Sequence, residues 1–117
     1  MLGGFITDII DIEEFKKADL RVGKIVKVEP HHQAKKPMYI ITVDLGEELG
    51  TRTIVAGIRE QYGEEELVGK LIVCVANLKP KNVAGVESQG MLLAAEDDGI
   101  ISLLTPNKEV RPGSKIR

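Results

Sequence analysis

Aromatic side chains are scarce in this sequence of 117 residues. It has no tryptophan, and its two phenylalanines and two tyrosines are Phe5, Phe15, Tyr39 and Tyr62. The spacing of the apolar residues around Phe15 and Tyr39 predicts that both are buried. Proteins that hold single-stranded nucleic acid without reading its sequence commonly stack successive bases on aromatic rings. Too few rings remain here to build such a surface.

Cysteine is almost missing as well. Cys74 is the single one, so an internal disulfide and a cysteine-based metal cluster are excluded, and its apolar neighbours predict a small core residue. His31 and His32 are adjacent in a polar loop, and no acids accompany them at metal-ligand spacing. We therefore expect no metal site and surface positions for both histidines. Loop histidines that help to contact phosphate are the alternative.

Long hydrophobic runs and enzyme motifs are also missing. The longest apolar runs have the length of a strand, so the sequence predicts no signal peptide, no membrane span and a cytoplasmic protein. Neither GxxxxGK[ST] nor GxGxxG occurs, and Ser88 has no histidine or aspartate at a spacing that would make it a nucleophile. We predict a protein that is not an enzyme and that uses no cofactor.

The charged residues that are present are unevenly distributed. The net charge is only -2, but residues 21–36 carry five bases and one acid, whereas residues 47–66 carry six acids and two bases. A molecule that is nearly neutral overall can still present a basic face and an acidic face. An ordinary solvated surface is the alternative.

Short apolar runs separated by polar turns predict an all-β fold. Tyr39, Ile41, Val43 and Leu45 alternate along one strand, and Gly23 predicts a bulge or bend in the first strand. The order of three strands, a short helix and two strands suits a five-stranded Greek-key barrel of the OB type. The predicted elements are a short helix that begins at Asp11, the strands Leu20–Val28, Met38–Leu45 and Thr51–Ala56, a helix within Glu64–Val68, the strands Leu71–Ala76 and Met91–Ala95, and a further short strand at Ile100–Leu104.

Two loops of this predicted barrel are basic. OB-type barrels bind through strands 2 and 3 and through the loops 1–2 and 4–5, which are here Pro30–Pro37 and Asn77–Gly90. Both loops contain two lysines close together, Lys35 and Lys36 in the first and Lys79 and Lys81 in the second. Lysines, amides and glycine-flanked backbone N–H groups suit phosphates and 2′-hydroxyls. We infer recognition of a folded RNA by the shape of its backbone; ordinary exposed lysines are the alternative.

Several segments of the chain resemble one known family, the tRNA-binding domain family. The resemblance covers Ile12–Arg117 and implies an OB barrel that binds tRNA by its structure and reads little sequence. Members lie at the C-terminus of methionyl-tRNA synthetase, form its β-like subunit or are free-standing tRNA-binding proteins, which makes the synthetase catalytic subunit a further implied partner. The segments are ADLRVGKI at 18–25, VAGI at 55–58, Gly69-Lys70, NLKPK at 77–81 and GVESQGMLLA at 85–94.

The same resemblance implies residues for an RNA site. Ser88 and Met91 match positions associated with tRNA contact, and Asn82 and Gln89 stand near them in the sequence. Met91 has a second interpretation, as the first core residue of strand five. With the lysines of both loops, the predicted RNA-binding residues are Lys35, Lys36, Lys79, Lys81, Asn82, Ser88, Gln89 and Met91.

We interpret residues 1–117 as a single domain, with the barrel at about 12–95 and extensions at 1–11 and 96–117. In the free-standing and methionyl-type members of the family, such extensions form a symmetric homodimer. The apolar residues of the extensions exceed what the tail could bury alone. The predicted interface residues are Ile6, Ile9, Ile10, Ile100, Ile101, Leu103 and Leu104.

Two other functions stay open. A peptide-binding export chaperone of the CsaA type shares the barrel and the dimer, and an apolar channel across the dimer would favour it, although Ser88–Met91 matches the tRNA-binding branch better. A synthetase assembly factor with incidental RNA contact is the other. HIGH-type and KMSKS-type motifs are missing, so we expect no activation of methionine. The start at Met1 suits a free-standing protein or a separate subunit, and an excised C-terminal domain would look the same.

Overall fold

We describe residues 8–117 from a computed structural model of the chain. The predicted residue Ile6 lies outside this described part. Three short helices and nine strands follow one another along the described residues. They are α1 (Ile12–Lys16), β1 (Leu20–Pro30), β2 (Tyr39–Asp44), α2 (Gly46–Leu49), β3 (Thr51–Ala56), α3 (Glu64–Leu67), β4 (Leu71–Val75), β5 (Lys81–Val83), β6 (Val86–Ser88), β7 (Met91–Leu92), β8 (Ala94–Asp97) and β9 (Ile100–Leu103).

The first five predicted strands form one antiparallel sheet in the order β3-β2-β1-β4-β7. The sheet curls until β3 meets the segment that joins β6 to β7. There the N–H of Gln89 donates to the carbonyl of Thr53 at 2.7 Å, and the side-chain oxygen of Gln89 accepts from the N–H of Thr53 at 2.9 Å. These bonds satisfy the edge of β3, so the sheet becomes a nearly closed barrel, which is the OB-type architecture predicted from the sequence.

The core fills the barrel with aliphatic side chains. Tyr39, Ile41, Val43 and Leu45 all point inward, as their alternation predicts. The hydroxyl of Tyr39 donates to the carbonyl of Tyr62 at 2.7 Å, so this core ring has its polar end satisfied. The other large core side chains are Ile25, Ile54, Leu67 and Ile72.

The first strand changes partner along its length. Leu20 to Lys24 pair with β4, and Lys24 to Pro30 pair with β2. Gly23 lies at this change, where a Cβ atom would overlap the side chain of Val43, so close packing explains the glycine. The bulge is two to four residues later, between Ile25 and Lys27, and it turns the half-exposed Val26 outward.

The helix predictions hold, with one exception in burial. Asp11 caps α1 through a capping box with Glu14, and α3 lies within the predicted range. Phe15, which we predicted to be buried, is 37% exposed, and the other residues of α1 are not buried either. A helix of five residues on the surface leaves even its apolar side partly in solvent.

Two predicted elements differ from the observed ones. The loop Asn77–Gly90 contains an antiparallel hairpin, β5–β6, and the predicted fifth strand Met91–Ala95 is divided between β7 and a second hairpin, β8–β9. No helix in residues 8–117 is long and apolar enough to cross a bilayer.

Candidate nucleic-acid interface

The two basic loops are in direct contact. His31, in loop 30–37, lies 2.8 Å through its Nε2 atom from the carbonyl oxygen of Val83 in β5. Because a carbonyl can only accept, this nitrogen carries the proton. Gln33 approaches the same hairpin, since its side-chain oxygen would lie 3.7 Å from a Cβ atom at Gly85. The two loops, which are far apart in the sequence, therefore form one continuous surface.

The surface position predicted for His31 is wrong. Its side chain is only 3% exposed, because the imidazole is enclosed between loop 30–37 and the hairpin β5–β6. No group of histidines and acids in residues 8–117 could hold a metal ion. His31 is thus a structural link between the two loops. Its place in a polar loop of the sequence gave no indication of this role.

A groove of about 370 Å³ lies between the hairpin and the sheet. Lys79 and Lys81 border it, and aliphatic side chains make up most of the remaining lining. Both lysines are exposed, and no carboxylate is among the residues that line the groove. We use the name groove for the space lined by Met38, Val55, Leu78, Lys79, Lys81, Val83, Ser88, Gly90 and Met91.

The two faces of the hairpin differ. Lys81 pairs with Ser88, and together with Val83 these residues line the groove. Asn82 pairs with Glu87, and since neighbouring strand residues point to opposite faces, these two point away from the groove. The side-chain oxygen of Asn82 accepts from the N–H of Gly85 at 3.0 Å, so the structure assigns Asn82 to the turn of the hairpin.

The turn itself is strained in one residue. Ala84 and Gly85 have φ angles of 50° and 92°, which is the conformation of a two-residue hairpin turn with both central residues left-handed. Glycine adopts this conformation freely, whereas alanine does so at a cost. The contact of Asn82 with Gly85 helps to hold this turn and with it the position of Lys81.

Ser88 and Gln89 both serve the closure of the barrel. The hydroxyl oxygen of Ser88 accepts from the N–H of Val55 at 2.9 Å, and Ser88 is buried. Gln89 is engaged with Thr53 as described above. Met91, by contrast, is 49% exposed and lines the groove, although its backbone pairs with Val75 in the sheet. Of the three residues, Met91 has the side chain best placed to touch a ligand.

Lys35 and Lys36 are exposed in loop 30–37, on the loop that His31 joins to the hairpin. The acids of α3 are absent from the groove lining. The structure therefore brings Lys79, Lys81, Ser88 and Met91 to one groove and puts the other two lysines on the adjoining loop.

The residues predicted for a dimer interface divide into two groups. Ile9, Ile10, Ile100 and Leu104 are exposed. Leu103 is only 8% exposed and belongs to the core of its own chain, and Ile101 packs against that core. The prediction of Leu103 as an interface residue needs correction, because alternation along β9 turns its side chain into the core of its own chain. Its backbone N–H donates to the hydroxyl of Tyr62 at 3.0 Å.

Two side chains with raised pKa values, Arg21 and Cys74, lie away from the groove. A hydrogen bond with Asp19 raises the pKa of the Arg21 guanidinium, and Arg21 also donates to the carbonyl of Gly113 at 3.1 Å. Arg21 thus holds the C-terminal segment in place. Burial raises the pKa of the Cys74 thiol to about 11, which keeps it protonated near neutral pH and makes it a poor nucleophile.

The sequence and the fold are similar to those of known proteins. The family model described as "Putative tRNA binding domain" matches residues 20–115. The methionine–tRNA ligases of Pyrococcus horikoshii and Pyrococcus furiosus are 53% and 54% identical over 110 and 108 residues, which are 94% and 92% of this chain. The chain spans only about 15% of the length of these relatives.

Solved structures share the whole barrel. A CsaA chaperone protein from Picrophilus torridus has a TM-score of 0.88 at 35% identity, with coverage of 93% of this chain and 100% of that one. A MetRS-related protein from Pyrococcus horikoshii has a TM-score of 0.85 at 42% identity, with coverage of 95% and 100%. The predicted OB-type fold is confirmed.

Proposed function

Because this chain belongs to the tRNA-binding domain family, we propose that it is a homodimer that binds folded tRNA by its sugar–phosphate backbone and lends this affinity to methionyl-tRNA synthetase. The bond between His31 and Val83 is the observation that carries the proposal. It joins the lysines of two loops into one basic surface, which is what a backbone with regularly spaced phosphates requires.

The charge distribution supports contact with phosphate. Lys79 and Lys81 stand on either side of Pro80, which limits the backbone freedom between them. No carboxylate lines the groove, so a phosphate there would meet cations without a competing acid. Lys35 and Lys36 extend the same charge along loop 30–37.

The aromatic residues support recognition of the backbone in place of a run of stacked bases. Within residues 8–117, Tyr39 lies in the core, Tyr62 bonds the backbone of Leu103 and Phe15 is on α1. None of the three lines the groove. Among residues 8–117, the groove therefore offers no ring on which a series of bases could stack, whereas lysines suit phosphates in any sequence.

The test is an electrophoretic mobility-shift titration of folded tRNA with Lys79→Glu, Lys81→Glu and the double variant. We expect the double variant to bind at least about tenfold more weakly, since it removes two cations that pair with phosphate and adds two repulsive charges. The dependence of log K on log salt should become less steep by about 0.7–0.9 for each phosphate ion pair removed. Lys108→Glu changes an exposed lysine that does not line the groove and serves as the matched control. Equal affinity of the control and the double variant would remove the proposed site.

Homodimerisation is supported by exposed apolar side chains outside the barrel. Ile9, Ile10, Ile100 and Leu104 all expose more than a third of their surface, and a second copy of the chain could bury these side chains. Two copies would present two groove surfaces to one RNA and gain from effective concentration. Sedimentation equilibrium of the wild type and of Ile100→Asp tests this proposal. We expect the wild type to be a dimer and Ile100→Asp to form a weaker dimer. A monomeric wild type would contradict the proposal.

Service to methionyl-tRNA synthetase is supported by the relatives named above, in which the matching segment is part of a methionine–tRNA ligase. The measurement is the aminoacylation rate of a synthetase that lacks such a segment, with and without this chain, at limiting tRNA. A lower KM for tRNA in the presence of the chain is the expected result. Co-purification with the synthetase after RNase treatment, without any effect on KM, would favour an assembly factor.

A peptide-binding chaperone is the second candidate, and the largely aliphatic lining of the groove favours it, as does the similarity to CsaA chaperones. Competition between folded tRNA and a permanently unfolded polypeptide separates the two. We expect tRNA to resist displacement by the polypeptide. Polypeptide binding in the nanomolar range without tRNA binding would establish the chaperone.

A further inference from the structure

The groove contains chemistry that contact with phosphate does not use. Leu78 and Met91 are 44% and 49% exposed, and both point into it together with Val83. Phosphate gains nothing from aliphatic carbon, and these side chains gain nothing from phosphate. A ligand that uses the whole groove must therefore present an apolar face and an anion together.

We propose that the groove receives one unstacked nucleobase of the bound RNA, with the flanking phosphates against Lys79 and Lys81. This inference rests on the proposed function and adds a contact with a base to it. A nucleotide carries the required pair of features, a flat ring with an apolar face and a charged phosphate, joined by one sugar. The groove, of about 370 Å³, has the size of small-molecule sites.

The hairpin arranges these features on a single face. Lys81 and Val83 are two residues apart on β5, so both side chains point the same way. Leu78 and Lys79 precede them on the approach to the hairpin, and Met91 faces them from β7. A base between Leu78, Val83 and Met91 would have cations within reach of the phosphates before and after it.

The groove can accept only a base that is free of its neighbours. Extracting a base from a helix costs a few kcal/mol, and the cost is least where the base is already unpaired. Folded RNA provides such bases in loops and bulges. The inference thus explains why a barrel without an aromatic platform could still distinguish a folded RNA from a regular duplex.

Apart from the two lysines, the groove has one polar side chain, Ser88, and it is already engaged. The hydroxyl of Ser88 bonds the N–H of Val55 and lies 3.4 Å from the carbonyl of Gly90. No amide or carboxylate side chain lines the groove to read the edge of a base. We therefore expect all four bases to be accepted with affinities within about threefold of one another, because aliphatic contact with a ring does not depend on its hydrogen-bonding edge.

The experiment compares three RNAs with the same helical stems: a perfect duplex, the duplex with one bulged nucleotide, and the same bulge with an abasic nucleotide. The abasic form keeps the bend and the phosphates and removes only the base. Affinities are measured by fluorescence anisotropy at one salt concentration, with folded tRNA alongside. We expect the bulged duplex to bind about tenfold more tightly than the abasic one, which corresponds to 1.4 kcal/mol.

The variants Leu78→Ala and Met91→Ala should abolish this preference for the base, and they should weaken binding of the bulged duplex more than binding of the perfect duplex. Val68→Ala is the matched control, since Val68 is exposed to a similar extent, 52%, but does not line the groove. Equal binding of the bulged and abasic duplexes, while tRNA still binds, would overturn the inference and leave the proposed function intact. Failure to bind tRNA would overturn both. If an unfolded polypeptide displaced the bulged RNA and bound more weakly to Leu78→Ala, while the preference for the base persisted, the groove would be a peptide site.

Discussion

Replacement of His31 by alanine should weaken both the fold and RNA binding. The imidazole is 3% exposed and its Nε2–H group donates to the carbonyl of Val83 at 2.8 Å. Without it, the part-buried carbonyl of Val83 loses this hydrogen bond, which costs about 2 kcal/mol. For a chain of this size we expect the midpoint of thermal unfolding to fall by about 8 °C. The barrel core contains none of the affected atoms, so the variant should remain folded at room temperature.

The same change releases the hairpin β5–β6 from loop 30–37. Lys79 and Lys81 then keep their charge but no longer have a fixed position relative to Lys35 and Lys36. Ordering them again on binding costs about 1 kcal/mol, so the affinity for tRNA should fall about fivefold. The dependence on salt should stay as steep as in the wild type, because the number of phosphate ion pairs is the same.

His31→Gln is the matched control, since glutamine can donate an N–H from a position close to that of Nε2. We expect it to recover most of the thermal stability and of the affinity. The measurements are a thermal melt followed by circular dichroism and a tRNA titration at three salt concentrations. The reasoning is refuted if His31→Ala binds tRNA as tightly as the wild type does, or if its salt dependence becomes less steep.

Three further predictions concern the barrel. Gly23→Ala should destabilise it by about 1–3 kcal/mol in urea unfolding, because the added methyl group overlaps the side chain of Val43. Arg21→Lys should cost about 1 kcal/mol and increase proteolysis of the C-terminal segment, since lysine cannot reproduce the two guanidinium bonds to Asp19 together with the bond to the carbonyl of Gly113. Cys74 has a folded-state pKa raised to about 11 from 9.0; its contribution to stability is therefore complete below pH 9 and is lost as the pH rises to 11, which urea unfolding at several pH values measures.

Each of these three has a result that would contradict it. Gly57→Ala places a methyl group 3.7 Å from the end of Met38, an ordinary contact, and should be tolerated; equal destabilisation in both glycine variants would contradict the steric explanation. Unchanged proteolysis in Arg21→Lys would show that the tail is held by other bonds. Cys74→Ala should remove its part of the alkaline loss of stability, and an unchanged pH profile would assign that loss to other groups.

The barrel was predictable because its signals are local. The alternation from Tyr39 to Leu45 puts one face in the core regardless of what packs on it, and the apolar run from Leu71 to Val75 is buried for almost its whole length. The hairpin β5–β6 was missed because its strands have only three residues each and its turn is Ala84–Gly85, in which alanine gives no sign of a left-handed conformation. Strands this short cannot be separated from a loop by periodicity.

The candidate site was predictable only in part, for a different reason. Lys79 and Lys81 could be found from charge and from their position in a long loop. The roles of His31, Ser88 and Gln89 depend on contacts between residues more than thirty positions apart, with Val83, Val55 and Thr53. No pattern along the chain reports such contacts. The motif around Ser88 was informative about the family, but the structure shows that its hydroxyl closes the barrel.

The central claim is that this chain recognises the folded shape of tRNA through one joined basic surface. The most direct measurement compares a folded tRNA transcript with an RNA of the same length and composition whose scrambled sequence cannot form the tRNA fold, at equal salt. Both carry the same number of phosphates, so charge alone would bind them equally. We predict at least about tenfold tighter binding of the folded tRNA. Equal or tighter binding of the scrambled RNA would contradict the account.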